Sequence, residues 1–123
     1  MAGSLDDPER KLNLRQKQSL FALLVAELIM FAYSRGYEMT LGEAWRSEQE
    51  ATRLALAGGG IRRSLHQDRL AVDLNLFHKG IWLRGTSDHA PFGQWWEQRH
   101  PLCRWGGRFS DGNHYSLEHE GRK

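Results

Sequence analysis

The sequence predicts a small α+β domain in which an antiparallel sheet is flanked by helices. Two patterns support this prediction: apolar residues recur at helical spacing over residues 12–35, and apolar and polar residues alternate over residues 70–77. A chain of 123 residues has the length of one domain with a modest core. We therefore expect residues 1–123 to form a single domain.

The longest predicted helix covers residues 12–35, and Gly36 follows it as a C-terminal stop. Its apolar spacing is typical of a helix that packs against a core. The most apolar part, residues 20–33, contains Glu27 and is too short to span a bilayer. We therefore expect no stable insertion into a membrane.

Two further helices are predicted from capping signals. A capping box at Ser47 indicates a helix over residues 47–57, which ends at a run of glycines. Ser87 or Asp88 is expected to cap the last helix, with Pro91 in its first turn.

Short strands are predicted between these helices. In residues 70–77 the even-numbered positions are leucine or valine, so one face of this strand is expected to be buried. The other strand candidates are residues 37–41, 81–83, 105–109 and 114–117.

Composition limits the possible functions. A net charge of +2 is mildly basic, which suits work near wall polymers or anionic membrane surfaces but is too weak to indicate nucleic-acid binding. Cys103 is the only cysteine, so any metal site must use histidines and carboxylates. The first residues lack the pattern of a secretory signal, so the protein is expected in the cytoplasm.

Three polar residues are candidates for a metal site. His66 lies in the loop that enters the strand at residues 70–77, and Asp73 lies on that strand's more polar face. An aspartate in a buried strand is costly unless it is paired or binds a metal. His114 begins a later strand, so the three side chains converge if the two strands adjoin. Three such ligands with one open position are typical of catalytic zinc.

Simpler interpretations stay open on spacing alone. The chain has six histidines, so a chance combination of two histidines and an aspartate is easy to find. The other four histidines, namely His78, His89, His100 and His119, are expected at the surface. Asp111 lies in a Ser-Asp-Gly-Asn segment that also suits an ordinary turn.

The pattern Ser-x-His-x6-Asp at residues 64–73, followed by Asp-x2-His at residues 111–114, resembles a family of zinc peptidases. That family includes the D-Ala-D-Ala carboxypeptidases, the vancomycin-resistance dipeptidases and the phage L-alanyl-D-glutamate endopeptidases. Residues 40–49 are similar to its Arg-Ser segment before a helix, and residues 105–109 to its Trp-Gly-Gly run before the last ligand. The resemblance implies a hedgehog/D-Ala-D-Ala peptidase-like fold.

The resemblance also implies roles for individual residues. The zinc ligands would be His66, Asp73 and His114. Asp111 would act as the catalytic base, and an aspartate at this position resembles the phage endopeptidases. Arg46 would anchor the substrate and stabilise developing charge, and we expect Ser64 to bind the substrate or support a ligand.

Three departures from the family pattern concern the substrate subsites. Arg69 stands where the family usually has glycine, and Tyr115 and Ser116 stand where it has an aromatic-acid pair. The segment between Trp105 and His114 is short. These changes leave the metal ligands in place and affect which bond is cut.

The expected function is that of a zinc-dependent endolysin that cleaves the L-Ala–D-Glu bond of peptidoglycan stem peptides. It would act as a monomer and reach the wall from the cytoplasm once a holin-type pore opens the membrane. Two alternatives remain: a D-Ala-D-Ala carboxypeptidase or dipeptidase of the same fold, and a non-catalytic wall-binding module.

Overall fold

The computed structural model describes residues 4–42 and 65–123, in which two helices pack against an antiparallel sheet. This arrangement confirms the α+β class. The helix predicted over residues 47–57 lies outside the described residues. The described elements are α1 (Leu14–Ser34), β1 (Tyr37–Leu41), β2 (Ala71–His78), β3 (Ile81–Leu83), α2 (Thr86–Arg99), β4 (Cys103–Trp105), a 3-10 helix (Gly106–Phe109) and β5 (His114–Leu117).

Helix α1 begins with a reciprocal cap. The Gln16 backbone N–H donates to Asn13 Oδ1 at 2.9 Å, and the Asn13 N–H donates to Gln16 Oε1 at 3.0 Å, which satisfies two free donors of the first turn. Leu20, Leu24 and Leu28 are fully buried along one side. By length and composition the whole helix could cross a bilayer, but a helix that packs in a protein core has the same composition.

Strand β2 is the centre of the sheet. The order is β1-β2-β5-β4, β3 also pairs with β2, and all pairings are antiparallel. Leu74 and Leu76 of β2 are fully buried in the same core as α1. Because side chains alternate along a strand, Asp73, Asn75 and Phe77 lie on the other side, which we call the open face.

Helix α2 begins earlier than predicted. Gly85 is its N-cap and Thr86 its first residue, so the prediction that Ser87 or Asp88 caps the helix was wrong. Asp88 acts from inside the first turn instead, where its Oδ2 accepts the Gly85 N–H at 3.0 Å. Pro91 consequently falls in the second turn.

The predicted strand at residues 105–109 was also wrong beyond its first residue. Strand β4 ends at Trp105, and residues Gly106–Phe109 form a 3-10 helix. The reversal is closed by the Asp111 N–H, which donates to the Gly106 carbonyl at 3.0 Å. Ser110, at the end of the 3-10 helix, takes the left-handed conformation with φ +57°. The hydrophobic pattern of the sequence does not predict this conformation.

Trp105 fixes the loop that leads into β5. Its indole N–H donates to the Gly112 carbonyl at 2.6 Å. On α2, Gly93 lies against the same ring, and a Cβ at this position would overlap the indole. Close packing of the helix on Trp105 therefore holds the segment that carries Asp111 and His114.

Candidate metal and active site

His66, Asp73 and His114 meet on the open face. Asp73 of β2 and His114 of β5 are cross-strand partners, and His66 lies in the turn before β2. Asp73 Oδ1 is 3.6 Å from His66 Nε2 and 3.4 Å from His114 Nδ1. One donor atom from each residue lies within 4.8 Å of the others. Among residues 4–42 and 65–123, this is the one group of three or more potential metal ligands.

The spacing of these donor atoms fits a tetrahedral zinc site. Separations of 3.4 and 3.6 Å are longer than a good hydrogen bond. Two ligands that each lie about 2.0 to 2.1 Å from a tetrahedral ion are about 3.3 Å apart. The donor set is also chemically suitable, because zinc binds imidazole nitrogen and carboxylate oxygen. The structure thus contains a possible His-Asp-His metal site, and metal binding itself stays a prediction.

Burial differs among the three side chains. His66 is 4% exposed, whereas His114 and Asp73 are more open to solvent. Burial lowers the pKa of His114, but the contact with Asp73 and the charges of Asp73 and Asp111 outweigh burial and raise the pKa above its usual value. A concentration of negative charge at this point favours a cation.

The turn that carries His66 explains the unusual Arg69. The Leu70 N–H donates to the Leu65 carbonyl at 2.9 Å and closes the turn. Arg69 has φ +56°, in the left-handed region that glycine occupies without cost and other residues at about 1–2 kcal/mol. The turn therefore keeps the backbone conformation that a glycine would favour, although an arginine stands there.

Asp111 lies in the turn before β5 and is exposed. Its carbonyl accepts the His114 N–H at 3.1 Å, so Asp111 is a turn residue, as the simpler interpretation expected. Its charge also contributes to the raised pKa of His114. The two roles are compatible, because the backbone forms the turn while the carboxylate remains available beside the ligands.

Two cavities meet at Asp111. The larger, of about 540 Å³, also contains His114, and we call it the cationic cleft. Its other charged lining residues are Arg104, Arg108, Arg122 and Lys123 together with the acidic Glu97, and Trp105 and Phe109 also line it. The smaller, of about 260 Å³, we call the aromatic cleft. It includes Asn75, Trp82, Arg84, His89 and Asn113.

Two histidines expected at the surface are buried, so that prediction was wrong. His89 is 1% and His100 is 4% exposed. His89 follows the same helical spacing as Phe92 and Trp96 on the buried side of α2, a periodicity that could have identified it. His89 Nδ1 lies 2.8 Å from the Tyr115 hydroxyl, beside the strand position of His114.

The buried His89 gives a prediction for stability against pH. Burial lowers its pKa from 6.5 to about 4, so the unfolded chain binds more protons than the folded chain between these values. We expect the free energy of unfolding to fall by up to about 3 kcal/mol as the pH decreases from 6.5 to 4. Urea denaturation across this range measures the effect.

The matched variants are His89→Gln and His78→Gln. The first removes one titrating group and should reduce the pH dependence in this range, leaving the part due to His100, whose pKa burial also lowers, whereas the second should keep the full dependence. An unchanged slope in His89→Gln would contradict the assignment of the effect to this residue.

Arg46 and Ser64 lie outside the described residues, so their roles stay predictions. The described part of the site combines a possible three-ligand metal centre, a neighbouring carboxylate and a cleft on either side.

Comparison with known proteins supports the fold. No protein-family model and no curated protein sequence matches the chain. Among solved structures, the crystal structure of the Serratia marcescens L-Ala D-Glu endopeptidase ChiX is similar, with a TM-score of 0.65 and 22% sequence identity. The alignment covers 94% of this chain and 96% of that chain. At this level of identity the similarity establishes a shared fold.

Proposed function

We propose that this chain is a zinc-dependent peptidoglycan peptidase that hydrolyses the L-Ala–D-Glu bond of wall stem peptides. The observation that carries the proposal is the convergence of His66, Asp73 and His114 beside Asp111. Support for the substrate class comes from the fold, which is shared with a protein described as an L-Ala D-Glu endopeptidase.

The three converging side chains are the proposed ligands. His66, Asp73 and His114 would hold Zn²⁺ through two neutral imidazoles and one carboxylate, which would leave the ion a net positive charge. The ion would supply Lewis-acid chemistry, polarising a carbonyl and lowering the pKa of water from 15.7 to about 7.

Asp111 is the proposed general base. Its exposed carboxylate opens into the cleft that contains His114. It would accept a proton from the attacking water and pass that proton to the leaving amine when the peptide bond breaks. Arg46 is proposed to stabilise the charge that develops on the carbonyl oxygen, and Ser64 to orient the substrate.

The charge of the cationic cleft suits a peptide with free carboxylates. Arg104 pairs with Glu118, and Arg122 pairs with Asp68. Arg108 lines the same cleft as Asp111 and His114, and we propose that it pairs with a substrate carboxylate. A guanidinium can hold a carboxylate through two parallel hydrogen bonds.

The biological setting is part of the proposal. An aspartate at position 111 resembles the phage endopeptidases, so we propose an endolysin that accumulates in the cytoplasm as a monomer. It would reach the wall through a holin-type pore, without inserting into the membrane or binding nucleic acid.

Digestion of purified peptidoglycan tests this function. New C-terminal L-Ala and N-terminal D-Glu ends are expected, and their formation should stop in chelator and resume after zinc is returned. Release of free D-Ala would instead support a carboxypeptidase, and zinc binding without hydrolysis would support a wall-binding module. Full digestion in chelator would contradict the metal mechanism.

A further inference from the structure

An aromatic patch lies on the open face beyond the metal site. Trp82 of β3 is 49% exposed, and its cross-strand partner is Phe77 of β2. The two ring centroids are 6.3 Å apart and the ring planes differ by 23°, so the rings are neighbours with nearly parallel planes. Large exposed apolar groups that adjoin a cleft often mark a binding site.

Polar groups border this patch. The Arg84 guanidinium lies over one face of the Trp82 ring, with its central carbon 4.0 Å from the ring centroid, so a ligand would use the opposite face. Asn75 and Asn113 line the aromatic cleft together with Trp82 and Arg84. The Asn75 amide donates to Thr40 Oγ1 at 3.2 Å, which orients the amide on the open face.

The patch is continuous with the proposed catalytic site. Phe77, Asn75 and Asp73 are alternate residues on the same face of β2. A strand advances about 3.3 Å per residue, so the patch lies about 13 Å from Asp73 along β2. Asp111 lines both clefts, so one extended substrate could occupy both.

The chemistry of the aromatic cleft suits a sugar. A flat aromatic surface packs against the C–H face of a pyranose ring, while amide and guanidinium groups bond to its hydroxyl and N-acetyl groups. This combination of an aromatic wall with a few polar groups is common in binding clefts.

The charges of the two clefts set the direction of the substrate. In peptidoglycan the sugar precedes the L-Ala–D-Glu bond, and the free carboxylates of the stem peptide follow it. The cationic cleft has more basic side chains and suits the carboxylates, and the aromatic cleft, which contains one arginine, is left for the uncharged sugar. We propose that Trp82, Phe77 and Arg84 form a subsite for the N-acetylated sugar of the wall glycan. This inference rests on the proposed peptidase function for the bond that is cut.

Two substrates with and without the sugar test the subsite. One is the disaccharide-tripeptide GlcNAc–MurNAc–L-Ala–D-Glu–diamino acid, and the other is the same tripeptide without sugar. Wild-type kcat/KM should be at least about tenfold higher on the first. Trp82→Ala should bring the two values close together, because it should lower kcat/KM on the sugar-bearing substrate more than on the bare tripeptide.

Two control variants separate stacking from general effects. Tyr33→Ala removes an aromatic side chain that is also 49% exposed but lies on α1, and it should keep the preference for the sugar-bearing substrate. Trp82→Phe retains an aromatic surface and should keep part of that preference. The inference is overturned if the wild-type protein has no preference, or if Trp82→Ala weakens hydrolysis of both substrates equally.

A binding experiment decides the subsite without hydrolysis. If neither substrate is cut, the proposed peptidase function fails. The GlcNAc–MurNAc disaccharide is then titrated into the wild-type protein and followed by NMR. Binding that Trp82→Ala abolishes supports the subsite, and absence of binding to the wild-type protein overturns it.

Discussion

Replacing Asp73 by alanine is expected to remove bound zinc and to lower wall hydrolysis by more than about 10³-fold. Asp73 Oδ1 is the one donor atom that lies within 3.6 Å of both histidine donors. Its loss also removes the negative charge that would hold a cation between two imidazoles. Zinc content after dialysis and the rate of release of new peptide ends measure the two effects.

A histidine on the same strand provides the control. His78 lies at the end of β2 and stacks on Tyr37, with ring centroids 4.5 Å apart. His78→Ala should keep zinc and hydrolysis, whereas His66→Ala and His114→Ala should behave like Asp73→Ala. If Asp73→Ala is folded by circular dichroism and still binds one zinc with normal activity, the proposed ligand set is wrong.

Replacing Asp111 by serine is expected to leave zinc bound and to lower kcat by about 10²–10⁴-fold, the usual contribution of a general base. Serine is also a favourable turn residue, so the turn before β5 should persist. The two interpretations of Asp111 therefore predict different results: a residue needed only for the turn would leave turnover nearly unchanged.

The variant Asp111→Glu tests whether a carboxylate at position 111 is sufficient for activity. It returns a carboxylate on a longer side chain and should recover part of the lost activity. An exposed carboxylate outside both clefts, Glu9, gives a matched control, and Glu9→Gln should retain full turnover. Wild-type kcat in Asp111→Ser would exclude this residue as the base.

Local patterns predicted the elements that build the candidate site. The alternation around Asp73 placed this residue opposite the buried Leu74, and the structure has that arrangement. The strand His114–Leu117 and the strand Tyr37–Leu41 were predicted with the observed bounds. Such patterns succeed because a half-buried strand must alternate and because apolar residues at helical spacing must face a core.

The failures occurred where contacts outside the local pattern decide the structure. His89 is an exception, because its helical spacing with Phe92 and Trp96 already indicated the buried side of α2, where it contacts Tyr115. The segment after Trp105 bends into a 3-10 helix because Trp105 bonds to the Gly112 carbonyl and packs against Gly93. A turn conformation that depends on a residue packed against it is not visible in the hydrophobic pattern.

The two clefts also depend on tertiary contacts that the local sequence patterns do not show. The sequence contains Trp82 and Phe77 as ordinary strand residues, and nothing in their spacing distinguishes a binding surface from a core. The antiparallel pairing of β2 with β3 brings the two rings side by side on the open face. Their relation to Asp111 depends on the path of the loop before β5.

The amino-acid sequence alone predicted the α+β class, because side-chain periodicity assigns each strand a face. It also predicted the candidate ligands, but residue chemistry only limited the choice, and the resemblance to a zinc peptidase family selected among the six histidines. Folding in three dimensions brought those ligands together, since the cross-strand pairing of Asp73 with His114 and the left-handed turn at Arg69 join parts of the chain that are far apart in sequence. It likewise gave the site a cationic cleft on one side and an aromatic cleft on the other, because surfaces form only where separate strands meet.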